Sequence, residues 1–265
     1  MKKFISLILV FLLAICFGVT DVLATPSTTY WTPATTDVQP YGVWHLGIDN
    51  YFTVAKTGAD KYGFPTDVGL TVGVLPFEKI NLEVGVDWLE PSNDPAYFNA
   101  KFAVPENALS EWSPALNVGI FNVGTDGSDT DGDGRTDQNI VHFLIGKSLG
   151  EIGRIHLGYY IGNDKVLLNR DGKAENTGFM IGYDRWIIPD KFMFAADYAS
   201  GKNAIGAGGF GLYWFFSKNA SLLVGPVWFN DAKVAAPLPL YVDPKAATSE
   251  GASWVFTTQL DINFL

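Results

Sequence analysis

The segment Asp129-Thr130-Asp131-Gly132-Asp133-Gly134-Arg135-Thr136-Asp137 crowds four carboxylates into nine positions. Hard divalent cations take oxygen ligands, and acids at alternate positions with a glycine at the sixth bend a short loop around one ion. Asp129, Asp131, Asp133 and Asp137 are therefore candidate calcium ligands, with Gly134 permitting the sharp turn. The twelfth position is Ile140, where a bidentate Glu would complete a helix-flanked calcium loop, and no helical pattern lies on either side. The competing reading is a hydrophilic surface loop that uses Asp and Gly for turn chemistry. No other cofactor is required by the sequence.

A second set of polar residues is spread along the chain and shares one face of alternating segments: His45, Asp49, Glu83, Asp87, Asn99, Lys101, Asn117, His156, Asp184, Asp197, Gln259 and Asp261. Acids outnumber bases in it. Lining an open channel, such a set gives a mild preference for cations. Paired among themselves, the same groups would staple a closed structure without transport. Catalysis has less to work with: His45, His142 and His156 are the only histidines. None stands in a motif with Ser or Asp, and a Gly-x-Ser-x-Gly elbow is absent.

These side chains share a face because the chain reads as strands. Period-two alternation bounded by Pro, Gly, Asn or Asp predicts strands over 41–54, 67–75, 80–89, 96–104, 114–124, 138–149, 153–163, 176–187, 191–199, 203–216, 219–229 and 252–264. In the third, Ile80, Leu82, Val84, Val86 and Trp88 alternate with Asn81, Glu83, Gly85 and Asp87. Connections alternate between long (55–66, 125–137, 164–175, 230–251) and short (75–79, 150–152, 188–190, 217–218). Two break the rule: 105–113 is long for its side, and 200–202 is short for its side. Ten or fourteen strands would absorb those exceptions. Gly69, Gly73, Gly85, Gly119, Gly158, Gly162 and Gly182 fall on the polar face, where they either leave lumen volume or relieve crowding in a closed, filled interior.

Composition narrows the class. Hydrophobic residues make up 48% of the chain and aromatics 14%, yet beyond the start no apolar run is long enough for a helical span. The net charge of −10 argues against nucleic acid as a partner, because phosphate binding needs clustered Lys and Arg. The start reads as a signal peptide cleaved near Ala24: basic Lys2-Lys3, an apolar run over 4–19, then Val22-Leu23-Ala24. Cys16 is the only cysteine and lies in that leader, so a processed chain has no disulfide, thiolate site or cysteine nucleophile. Residues 25–40, rich in Thr and Pro, form either a flexible lead or a partial plug in the interior, and 41–265 form the strand domain.

The last strand sharpens the reading. Trp254, Phe256, Leu260, Ile262 and Phe264 fall on one face, and Thr257, Gln259, Asp261 and Asn263 on the other. An apolar face opposite a polar one suits a strand between lipid and water. A soluble barrel or sandwich shows the same alternation with the apolar face inward, and long-loop asymmetry and aromatic strand ends favour lipid. The C-terminus resembles the assembly signal of bacterial outer-membrane barrels, which ends on an aromatic residue; here Phe264 is penultimate and Leu265 follows. The whole chain resembles the broad class of outer-membrane β-barrel and porin-like proteins of diderm bacteria. That resemblance implies an all-β, antiparallel, up-and-down transmembrane barrel of about twelve strands. It also implies outer-membrane lipid as surroundings and the barrel-assembly machinery as a partner. The expected function is a narrow porin-like channel for small neutral or cationic solutes. The alternatives are a non-transporting barrel that binds a ligand or surface through a calcium loop, and an outer-membrane hydrolase of the lipase or protease kind.

Overall fold

A computed structural model describes residues 30–54, 66–90, 94–128, 134–232, 234 and 253–265. Twelve strands follow in chain order: β1 (Trp44–Phe52), β2 (Thr66–Gly73), β3 (Asn81–Glu90), β4 (Ala96–Val104), β5 (Ala115–Gly124), β6 (Asp137–Ser148), β7 (Arg154–Ile161), β8 (Thr177–Ile188), β9 (Phe192–Ala199), β10 (Ala207–Ser217), β11 (Ala220–Phe229) and β12 (Trp254–Phe264). Every neighbour is antiparallel, and β1 pairs with β12 from Trp44 opposite Phe264 to Phe52 opposite Phe256. The sheet is a closed up-and-down barrel with no free edge, so every strand's backbone groups face a paired neighbour. Among the described residues no helix is long and apolar enough to cross a membrane.

Register places the large apolar side chains outside. On β6, Gln138, Ile140, His142, Leu144 and Gly146 point inward and are buried. Their neighbours Val141, Phe143 and Ile145 point outward and are 41, 51 and 40% exposed. The same holds for Phe210, Leu212 and Trp214 on β10. On β12, Trp254, Phe256, Leu260, Ile262 and Phe264 share the outer side, Ile262 being covered by its neighbours, while Thr257, Gln259, Asp261 and Asn263 are buried within. Outward Trp residues cluster near the two rims: Trp44, Trp186 and Trp214 towards the short-turn end, and Trp88, Trp228 and Trp254 towards the long-loop end.

Two boundaries differ from expectation by three residues or more. β10 begins at Ala207 rather than 203, because residues 203–206 form a tucked turn in which Asn203 accepts from Gly206 N at 3.0 Å and donates through its amide to Tyr160 Oη at 2.9 Å. The connection that looked too short, 200–202, is therefore extended by this turn. β1 begins at Trp44 rather than 41: Val43 N donates to Pro40 O at 3.0 Å, and Gly42 takes φ of +75°. A side chain is strained at that φ, and glycine lets the chain reverse into β1.

Candidate functional site

Residues 30–40 lie inside the barrel. Tyr30, Thr32, Ala34, Thr35, Thr36 and Gln39 are buried, and the segment runs from the long-loop end to the short-turn end before Gly42 reverses it into β1. Of the stretch 25–40, residues 30–40 lie against the inner wall, and 25–29 are outside the described residues. Period-two alternation could not reveal this placement, since a segment that only lies along the wall carries no strand pattern.

The segment is held by its ends and by its backbone. At the loop end the Tyr30 hydroxyl donates to Val224 O at 3.0 Å, while Tyr30 O accepts from Gln259 Nε2 at 3.0 Å and from the Tyr51 hydroxyl at 3.1 Å. Trp31 sits edge-on between Tyr51 and Phe229, with ring centroids at 5.3 and 5.1 Å, and its indole donates to Ile205 O at 3.0 Å. One oxygen of Asp197 accepts from Trp31 N and Thr32 N at 2.8 and 2.9 Å. These groups sit beside an apolar sector of the inner wall formed by Met193, Tyr213, Phe215, Leu223, Val227 and Val255.

At the turn end the contacts are charged. Arg154 holds Asp37 with two hydrogen bonds, at 2.8 and 2.7 Å, and Asp184 with two more, at 2.9 and 2.8 Å. Thr36 N donates to His156 Nδ1 at 3.2 Å, which leaves the ring proton on Nε2, 3.4 Å from Asp184. Gln39 N donates to Glu83 at 2.8 Å, and the other Glu83 oxygen is 3.4 Å from Lys101 Nζ.

The Asp37–Arg154 contact needs the ionised carboxylate, so protonating Asp37 at low pH removes it. Hydrogen–deuterium exchange across residues 30–40, corrected for intrinsic rate, should therefore rise between pH 7 and pH 3. In Asp37→Asn the rise should flatten; an unchanged pH response in that variant would assign the effect elsewhere.

The remaining residues expected on the inner face have these places. His45 Nδ1 is 2.7 Å from Asn263 Oδ1 and its Nε2 is 3.4 Å from Asp261, which also accepts from Ser221 at 3.2 Å. Asn99 donates to Asp87 at 2.5 Å and accepts from Asn122 N at 3.1 Å. Asn117 Oδ1 is 3.0 Å from His142 Nε2, and His142 is buried without a Ser or Asp partner among the described residues. Asp49 is half-buried and directly opposite both Gln259 and Asp67. Asp67 was missed at the sequence level, although its parity with Gly69 and Thr71 on β2 marks it as inward. Arg154 was also missed, because it is the first residue of its strand. The segment's own Tyr30, Trp31, Thr36, Asp37 and Gln39 had no sequence signal.

Of the glycines foreseen on the inner face, Gly182 and Gly73 receive the backbone of the segment. A Cβ on Gly182 would collide with the Ala34 carbonyl oxygen, and one on Gly73 with the carbonyls of Gln39 and Pro40. Gly69, Gly85 and Gly119 make room for Asp87, Thr71 and His142.

For the calcium loop, Asp129, Asp131 and Asp133 lie outside the described residues. Asp137 starts β6, and its carboxylate takes Arg135 at 2.9 and 2.6 Å and Asn163 at 2.9 Å. Among the described residues no three acidic, His or Cys side chains are grouped to hold a metal.

No family model matches the sequence, and no characterised protein sequence matches it. Solved structures of similar shape include an outer membrane channel from Pseudomonas putida F1 (10% identity, 86% of this chain and 98% of that one, TM-score 0.44). Salmonella typhi OmpF in complex with daunomycin shares 9% identity over 84% of this chain and 96% of that one, TM-score 0.39. A mutant of the Rh. blastica porin shares 10% identity over 75% of this chain, TM-score 0.37, and the match spans 55% of the porin's length. At these identities and scores none of them bears on activity.

Proposed function

We propose that the protein is an outer-membrane β-barrel that forms a narrow channel for small neutral or cationic solutes, with residues 30–40 as an internal constriction. Support for the membrane comes from the outward Phe, Val, Ile, Leu and Trp side chains, since a water-soluble barrel of this size would turn them inward. The long loops then face outward and the short turns the periplasm. The C-terminal strand, with Phe264 near its end, is the part the barrel-assembly machinery would read.

The observation that carries the channel is a sector of inward acids that the segment does not hydrogen-bond. Hydrogen bonds from the segment run to β1, β3, β7, β9, β11 and β12. Across from its upper half, Asp49, Asp67, Asp87, Asn99 and Asn122 on β1 to β5 are half-buried, and none of the three acids is ion-paired among the described residues. Such groups favour water and passing cations over a dry core. At His45 the Asp261 carboxylate stands between the imidazole and the Ser221 hydroxyl, an order in which the ring does not reach that serine.

Planar-bilayer recording tests this directly. The protein should give small conductance steps with a reversal potential favouring cations in a salt gradient. The triple variant Asp49→Asn, Asp67→Asn, Asp87→Asn should keep the steps and lose most of the preference. Absence of steps both in the intact protein and in one stripped of the segment would leave the non-transporting barrel as the better reading.

A further inference from the structure

The short-turn mouth of the barrel holds a cavity that the segment borders without filling. Its volume is about 250 Å³, and it lies between residues 36–40 on one side and the ends of β3 to β7 on the other. Drug-sized ligands occupy cavities of roughly 300–1,000 Å³, so this one suits a metabolite of a few heavy atoms. Two ion pairs line it. Arg154 binds Asp37 on the segment, and Lys147, near the end of β6, binds Glu106 in the 105–113 connection at 2.7 Å. Ala103 and Ala115 line it as well, and their small side chains leave the space between the pairs open.

Both pairs keep hydrogen-bonding capacity. Four of the five guanidinium N–H bonds of Arg154 go to Asp37 and Asp184, which leaves one on Nη1. The Lys147 ammonium donates to Glu106 and to Trp112 O, the latter at 3.4 Å, and carries a third N–H. Each Asp37 oxygen accepts one bond from Arg154 and has a second lone pair. Glu106 is anchored by Ser148 N at 3.3 and 3.1 Å, and its Oε2 likewise has a lone pair to spare. The four charged side chains stay 18–35% exposed, so a solute in the mouth reaches them. Ser148 stands opposite Arg154 in the β6–β7 ladder, so Lys147 and Arg154 are one step apart in register on adjacent strands. The wall therefore supplies two neighbouring cations, and the segment and the 105–113 connection supply one acid each.

We propose that this mouth binds a small zwitterion of the α-amino acid kind, its carboxylate bridging Lys147 and Arg154 and its ammonium bridging Asp37 and Glu106. In the order Lys147, carboxylate, Arg154, Asp37, ammonium, Glu106, every neighbour carries the opposite charge, and neither existing pair has to break. A solute with a single charge leaves one side of that ring open, and discrimination follows from the difference. Asp184 shares Arg154 without lining the cavity and tips the local balance negative, so an amine is favoured over a carboxylate among singly charged solutes. The proposal names a net-neutral solute class for the channel and rests on that reading for delivery of the solute, but not for its binding.

Titration calorimetry on the intact barrel in detergent tests it, with L-alanine, ethylamine and propionate as probes. L-alanine should bind with an affinity on the order of millimolar, since partly exposed ion contacts are individually weak. Ethylamine should bind several-fold more weakly and propionate more weakly still. Lys147→Met with Glu106→Gln removes one pair without changing the net charge and should lower L-alanine affinity several-fold, heat-modifiable migration confirming the folded barrel. Equal affinities for L-alanine and ethylamine, or L-alanine binding indifferent to the double variant, would overturn the site. Conductance steps without any L-alanine heat would retire the site and keep the channel, and L-alanine heat without steps would do the reverse. If the double variant does not fold, the ranking of the three probes on the intact protein decides alone.

Discussion

Gly182→Val is expected to drive residues 30–40 out of the lumen and raise single-channel conductance several-fold. The side chain would occupy the position of the Ala34 carbonyl, a collision with backbone that no rotamer relieves. The wall itself should tolerate it: Gly182 lies mid-strand on β8 between His156 and Asp197, and β-branched residues suit strands. Displacement also exposes Asp197, Gln259 and Gly73 to water, so the vacated path is polar as well as wider. A chain lacking residues 30–40 should give the same conductance, and Gly182→Val on top of the deletion should add nothing. Wild-type conductance in a folded Gly182→Val barrel would show that the segment does not limit the pore.

Arg154→Met should have the largest effect on stability. It removes the cation from between Asp37 and Asp184 and leaves two carboxylates facing each other. Breaking a buried ion pair from one side costs roughly 3–5 kcal/mol. Arg154 is about one-third exposed, which argues for a loss near or below the lower bound, about 2–3 kcal/mol. Asp37→Asn alone should cost less, because Asp184 still holds the guanidinium. Urea unfolding in detergent would read these losses, and Arg154→Met combined with Asp37→Asn and Asp184→Asn should recover most of the first. Equal losses in the triple and single variants would mean that packing of the arginine stem, rather than charge, is what matters.

Much of the barrel was legible because the forces that shape it act locally. Alternation with period two announces a strand whichever solvent lies outside, so twelve strands and the inner parity of Glu83, Asp87, Asn99, Lys101, Gln259 and Asp261 followed from spacing. Strand ends were less legible. Asn203 reads as polar alternation but closes a turn through its side chain, and Gly42 reads as strand but sits at positive φ. The lumen's occupant was the least legible part. Contacts such as Asp197 with Trp31 N span most of the chain, and they are made to backbone atoms, which carry no residue-specific trace. The one local trace was the bareness of Gly73 and Gly182, and it is shared with Gly69 and Gly85, which only accommodate neighbours.

The place of the segment ahead of β1 bears on how the molecule is made. Closure joins β1 to β12, and Gln259 on β12 is hydrogen-bonded to Tyr30. The thread must therefore be lying in the unclosed sheet before the last strand docks, or slip in tip first afterwards. In the first route it acts as a mandrel around which the sheet curls, and its loss would slow assembly. In the second it is a bolt that slides home late, and the finished barrel can draw it again without unfolding.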